Sequence, residues 1–148
     1  MKREFSAGGI VLRQAQDKFS KNKWEVLLTK HSQNHHWGFP KGLIEEGQTI
    51  EETAIREVKE EGGVEAKILG RVGYSKYIYT FEKEKIFKVV TYFLMTYISG
   101  DPKDHDFEME DAGWFLPEEA LKTLSFSQDK NLLKQVLLFR SNHQPKEK

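Results

Sequence analysis

The chain has 148 residues, with 38% hydrophobic and 31% charged residues, a length and balance that suit one domain with one core and exclude bulk disorder. Acidic and basic side chains number 23 each, and zero net charge argues against long DNA or RNA as the main partner, because gripping a phosphate backbone calls for a basic excess. The lack of cysteine excludes disulfides, thiolate nucleophiles and zinc–thiolate sites.

The opening residues, Met1 to Phe5, lack the apolar run of a signal peptide. No stretch approaches the roughly 20 apolar residues of a membrane span. A soluble, cytoplasmic protein is expected. Phe5 to Arg13 reads as a strand, Gln14 to Lys23 as a polar hairpin loop, and Trp24 to Thr29 as a short apolar strand. Trp37 to Gly42 is rich in turn formers and predicts irregular structure. Thr49 to Glu61 is the clearest helix. Thr49 is a good N-cap with Glu52 three residues on, a capping box. Ile50, Ala54 and Val58 recur every four residues and define a buried face, and Gly62-Gly63 supplies the stop.

Val64 to Tyr79 and Ile86 to Ile98 follow as strands. In the second, Phe87, Val89, Thr91, Phe93 and Met95 face one side, and Val90, Tyr92 and Leu94 the other. Both faces are largely apolar, which predicts a central strand covered on both sides. Asp101 to Asp111 reads as an acidic loop, and Gly113 to Leu116 as a short strand. Pro117 to Leu124 reads as a small helix opened by proline, and Ser127 to Arg140 as an amphipathic helix carrying Leu132, Leu133, Val136, Leu137 and Phe139. Residues 1–142 are expected to form a single α/β domain, and 143–148 a flexible tail.

Glu57, Glu60 and Glu61 stand at i, i+3 and i+4, so they share a helix face. Like charges at these spacings repel, and the helix C-terminus disfavours anions. A bound divalent cation removes both objections, since magnesium prefers hard carboxylate oxygens. Read alone, EVKEE is better explained by a solvated acidic face. Its setting decides otherwise: the cluster follows Arg56, ends at Gly-Gly, and comes after a Phe-Pro-Lys-Gly turn.

The segment Gly42 to Val64, GLIEEGQTIEETAIREVKEEGGV, resembles the Nudix box. Gly42, Arg56, Glu57, Val58, Glu60, Glu61, Gly63 and Val64 all match its pattern. The resemblance implies an α/β/α sandwich with a mixed central β-sheet and hydrolysis of a nucleoside diphosphate linked to another group. It implies Glu57, Glu60 and Glu61, with Gly42, as the metal-binding set, Mg²⁺ as the cofactor with Mn²⁺ able to replace it, and Arg56 as the residue orienting Glu57. One position departs: Gln48 stands where the pattern has its first glutamate. Gln48 can accept a hydrogen bond from Arg56 but cannot neutralise it, and Glu51 or Glu52 can take over the pairing.

Hydrolysis needs a carboxylate to accept a proton from the attacking water. Glu60, Glu61, Glu108 and Glu110 are candidates. Lys41, Lys85 and Lys88 are candidate phosphate partners, each also readable as a plain surface charge. Over roughly Phe5 to Leu138 the chain is similar to the asymmetrical diadenosine tetraphosphate hydrolases. The features that carry this are Ala7-Gly8-Gly9, His35-His36-Trp37 before Phe39-Pro40-Lys41-Gly42, Tyr77 with Tyr79, Lys88, and Glu108 six residues ahead of Trp114. That similarity implies His36, Lys41 and Lys88 on the phosphate chain, Tyr77 stacked on adenine, and Glu108 assisting the metal or acting as base, with ATP and AMP as products. Packing alone also explains Tyr77 and Tyr79 on one strand face, and at least one of His35 and His36 is expected to be structural. Trp37 is expected to anchor the loop. Other readings of the same box are a triphosphate pyrophosphatase, an RNA 5′-pyrophosphohydrolase, or a catalytically silent nucleotide sensor. The partner expected is a small nucleotide, and the assembly a monomer or homodimer.

Overall fold

The computed structural model describes residues 1–16 and 23–143. Most of the expected hairpin loop and all but the first residue of the expected tail lie outside them. The strands are β1 (Lys2–Gln14), β2 (Trp24–His31), β3 (Trp37–Gly38), β4 (Lys41–Leu43), β5 (Val64–Phe81), β6 (Glu84–Gly100) and β7 (Met109–Phe115). The helices are α1 (Ile50–Gly62), α2 (Pro117–Thr123) and α3 (Ser127–His143), with a 3-10 turn at Pro102–Asp104.

All seven strands join one sheet, in the order β3-β2-β1-β6-β5, with β4 also paired to β1 and β7 to β2. β1 runs parallel to β6 from Lys2↔Ile86 to Leu12↔Thr96, and the other pairings are antiparallel, so the sheet is mixed. β6 lies between β1 and β5 and is covered on both faces. Val90, Tyr92 and Leu94 join a core with Leu132, Leu133 and Val136 of α3; Phe93 and Met95 join another with Ala54 and Val58 of α1. The result is the expected α/β/α arrangement.

Helix α1 forms where its local signals place it. The Thr49 hydroxyl accepts from the Glu52 amide and the Glu52 carboxylate accepts from the Thr49 amide, closing the capping box. Gly63 ends the helix at φ 74°, in the left-handed region that glycine tolerates. Ala54 and Val58 are fully buried. Ile50 is only partly covered.

Three expectations are corrected. Trp37 to Gly42 is not irregular throughout: it yields β3 and β4, because β2 and β1 offer free edges to pair with. The acidic loop ends early, since Met109 to Asp111 pair with β2 as the start of β7. Phe139 does not join the buried stripe of α3; it is half exposed, with Leu138 beside it.

Candidate active site

Pairing of β4 with β1 at Ser6↔Leu43, Ala7↔Gly42 and Gly8↔Lys41 sets Lys41 and Gly42 beside the C-terminal half of α1. The Lys41 amide donates to Glu61 Oε1 at 3.1 Å. A Cβ at residue 42 would overlap the Glu57 carboxylate as it stands, so a side chain there would displace Glu57. Glu57 and Glu61 are 8% and 7% exposed, deep for unscreened acids. Burial pushes both carboxyls up to about 7, against the pull of Arg56 on Glu57 and of Lys41 on Glu61.

Arg56 organises the outer side of this pair. Its Nη1 lies 3.0 Å from Glu57 Oε1, 3.3 Å from Glu60 Oε2 and 3.9 Å from Glu45 Oε1. Its Nε donates to Gln48 Oε1 at 3.2 Å, and Nη2 to the Leu43 carbonyl at 3.4 Å. Gln48 thus keeps its expected hydrogen bond. The anion expected to compensate is neither Glu51 nor Glu52, as Glu52 is engaged in the cap; Glu45 occupies that place.

Buried, hard oxygen donors against a side-chain-free backbone suit a divalent cation. Among the described residues no three Asp, Glu or His side chains converge on one point as they stand. Glu60 is half exposed and turned to Arg56. The residues that fit an ion are therefore Glu57 and Glu61 first, with Glu60 next to them along the helix.

A cleft of about 600 Å³ opens from Glu61 and Lys41 across the α3 side of the sheet. Ser75, Tyr77 and Tyr79 of β5 and Lys88 of β6 line it, with His36 and Phe126 on the other rim. Burial and Lys41 together push the Lys88 ammonium down from its usual range, opposed by Glu4, Glu61 and Glu57. Tyr77 and Phe126 face each other with ring planes 7° from parallel and centroids 6.3 Å apart. His36 meets Phe126 edge-on at 4.8 Å.

Of the residues singled out in the sequence, Glu61, Lys41, His36, Tyr77 and Lys88 thus share one cleft. Arg56, Glu57, Glu60 and Gly42 stand behind it on the helix side. Glu108 is exposed, yet near enough for its charge to add to the upward push of burial on Glu57 and to oppose the downward push of burial on His31. Glu110 is engaged elsewhere, paired with His35 and with Lys30 at 3.3 Å. His35, at φ 60° and paired with Glu110, has a structural role, as expected of at least one of the two histidines. Trp37 packs edge-on against Phe115 at 5.2 Å, anchoring the loop as expected. Lys85 sits exposed beside the β5–β6 turn and is outside the cleft.

Sequence reasoning missed three residues. Phe126 links α2 to α3, and nothing in its neighbourhood marks it as a partner for Tyr77. Asp106, whose amide donates to the Glu60 carbonyl at 2.8 Å, adds negative charge to the burial that raises Glu57 and Glu61. Asp129, in the first turn of α3, is 5% exposed and lines the cleft.

A model of the NUDIX domain matches residues 3–136. The asymmetrical bis(5′-nucleosyl)-tetraphosphatase of Sus scrofa is 33% identical over 119 residues, covering 75% of this chain and 77% of that protein. The putative mutator protein MutT4 of Mycobacterium tuberculosis is 34% identical over 96 residues, which is 65% of this chain but only 39% of that protein. The chain therefore spans about two fifths of the latter's length. Among solved structures, a C. elegans Ap4A hydrolase in a binary complex superposes with a TM-score of 0.76 at 26% identity, covering 94% of this chain and 98% of that one. With the motif on a capped helix, its glycine against its first buried glutamate, and a family match over most of the length, the chain belongs to the NUDIX domain family.

Proposed function

We propose that this protein hydrolyses a pyrophosphate bond in a nucleoside polyphosphate, cutting diadenosine tetraphosphate asymmetrically to ATP and AMP. The observation that carries this reading is the cleft itself, where a buried carboxylate, two lysines and a parallel aromatic pair line one continuous space. Similarity to the pig tetraphosphatase and the C. elegans structure supports the choice of substrate.

Each part has a role in the chemistry. Tyr77 and Phe126, whose ring planes are 7° from parallel, hold the base between their faces, as aromatic rings do with bases. Lys41, Lys88 and His36 bind phosphate oxygens along the cleft. Glu57, Glu60 and Glu61 would hold Mg²⁺ (or Mn²⁺), which would supply charge neutralisation and a more acidic water. Glu60, Glu61 or Glu108 would accept the proton from the attacking water. Arg56 touches no substrate: it is a positioning residue that fixes Glu57 and Glu60 and ties them to the Leu43 carbonyl at the end of β4.

The test is product analysis with diadenosine tetraphosphate and Mg²⁺. ATP plus AMP in equal amounts is expected. Two molecules of ADP, or a clear preference for a nucleoside triphosphate or triphosphorylated RNA, would overturn the assignment; no turnover of any nucleotide would leave only a sensor.

A further inference from the structure

Asp129 has no part in the reading above, yet it is a nearly fully buried acid on the wall of the cleft. Its Oδ1 accepts from the Ser75 hydroxyl at 2.8 Å. Among the described residues nothing hydrogen-bonds Oδ2, which points toward the bare backbone of Gly38, where a Cβ would stand 3.6 Å away. The neighbouring Gln128 is fully engaged. It accepts from the Lys76 amide at 2.8 Å and donates to the Lys76 carbonyl, so it clamps the backbone of one β5 residue on both sides. That clamp fixes Ser75 and Tyr77 on either side of Lys76.

If the side chain were needed only to tether Ser75, a neutral amide would serve as well, without the cost of burying a charge. Burial pushes the Asp129 carboxyl up, opposed by Ser75 and Lys41. An acid kept in such a place, with one oxygen open to a cleft, marks a functional position. The chemistry of that oxygen is narrow: it accepts a hydrogen bond, and an ionised carboxylate repels a carbonyl oxygen brought to the same point.

We propose that Asp129 selects the base: its open oxygen accepts from the amino group of a purine held between Tyr77 and Phe126 and rejects a purine that presents a carbonyl there. This rests on the cleft being a nucleotide site, but not on which phosphate bond is cut. Adenine meets the requirement through its 6-amino group; hypoxanthine, with oxygen at that position, does not.

The experiment measures Kd by calorimetry for AMP, GMP and IMP, which contain no pyrophosphate bond to cleave, alongside the diadenosine tetraphosphate assay. The wild type is expected to bind AMP at least about tenfold tighter than IMP, the size of a lost hydrogen bond to a charged group. Asp129→Asn keeps an acceptor for Ser75 and adds a donor, so the AMP-to-IMP ratio should fall to about one or invert. Ser75→Ala should weaken all three ligands and keep the ratio. A preference for GMP over IMP that vanishes in Asp129→Asn also supports the assignment and locates the amino group at the purine 2-position. Equal wild-type affinity for the three, or a ratio untouched in Asp129→Asn, overturns it. Tetraphosphate cleavage with no base discrimination would sink this assignment alone; discrimination without cleavage would sink the proposed reaction alone.

Discussion

Removing the charge of Glu61 should stabilise the metal-free protein. Glu61 is 7% exposed, and burial raises its carboxyl from 4.5 to about 7. A raised acid favours folding only while protonated. Its contribution is therefore unaffected below about pH 4.5, and stability is lost as pH climbs from there through 7. The full loss is the pKa difference, about 2.5 units, or roughly 3 kcal/mol at 1.36 kcal/mol per unit. Glu61→Gln keeps an oxygen to accept the Lys41 amide and has no charge to desolvate. In EDTA at pH 8, urea unfolding should show the variant more stable than the wild type by up to about 3 kcal/mol, with the gap closing toward pH 4.5. Adding Mg²⁺ should reverse the order, since an ion bound only by the folded wild type stabilises it by mass action. A variant that is less stable than the wild type at pH 8 without metal, or equally stabilised by Mg²⁺, would refute the reasoning.

Phe126→Ala should raise KM for diadenosine tetraphosphate by about 5- to 150-fold, the range of one lost stacking face at 1–3 kcal/mol, with kcat less affected; steady-state kinetics decide it, and an unchanged KM removes the slot. Gly42→Ala should abolish turnover and lower the Tm, because the added Cβ overlaps the Glu57 carboxylate; an active, fully stable variant would show that the β4 backbone need not lie there. Glu82 and Lys83 form the β5–β6 turn at φ 50° and 66°, and replacing them by Asn-Gly should stabilise the fold by about 1 kcal/mol, read as a higher urea midpoint with activity unchanged.

What the sequence discloses and what it hides divides along the range of the interactions. α1 is written locally: Thr49 and Glu52 cap it, Ala54 and Val58 bury it, Gly63 stops it, and each signal acts within a turn or two. β3 and β4 are hidden because Trp37-Gly38 and Lys41 to Leu43 have no strand pattern of their own; they become strands only where β2 and β1 offer an edge. Charge could not separate Glu108 from Glu110; the resemblance favours Glu108, and the structure pairs Glu110 with His35 and Lys30. Phe126 and Asp129 are unreadable for the same reason. An aromatic between helices and an acid in a first helical turn are ordinary in sequence. They acquire meaning from β5, far earlier in the chain, which brings Tyr77 and Ser75 against them.

The replacement of the motif glutamate by Gln48 bears on whether the site is active, and the geometry weighs against a retired site. Arg56 would be left poorly held only if position 48 were its main anion. Instead its Nη1 already meets Glu45, Glu57 and Glu60, while Nε donates to Gln48 and Nη2 to the Leu43 carbonyl, two nitrogens those acids do not reach. A further carboxylate there would add repulsion among the acids more than it would add grip on the arginine. Glu61 has no such arginine: Lys41 relieves it through its charge and its backbone amide, and its other favourable charge is Lys88. A helix that commits Arg56 to Glu57 and Glu60 and leaves Glu61 buried at a cleft wall is less stable than the Glu61→Gln variant would be. A cation at that wall is the simplest agent that turns this destabilisation into function.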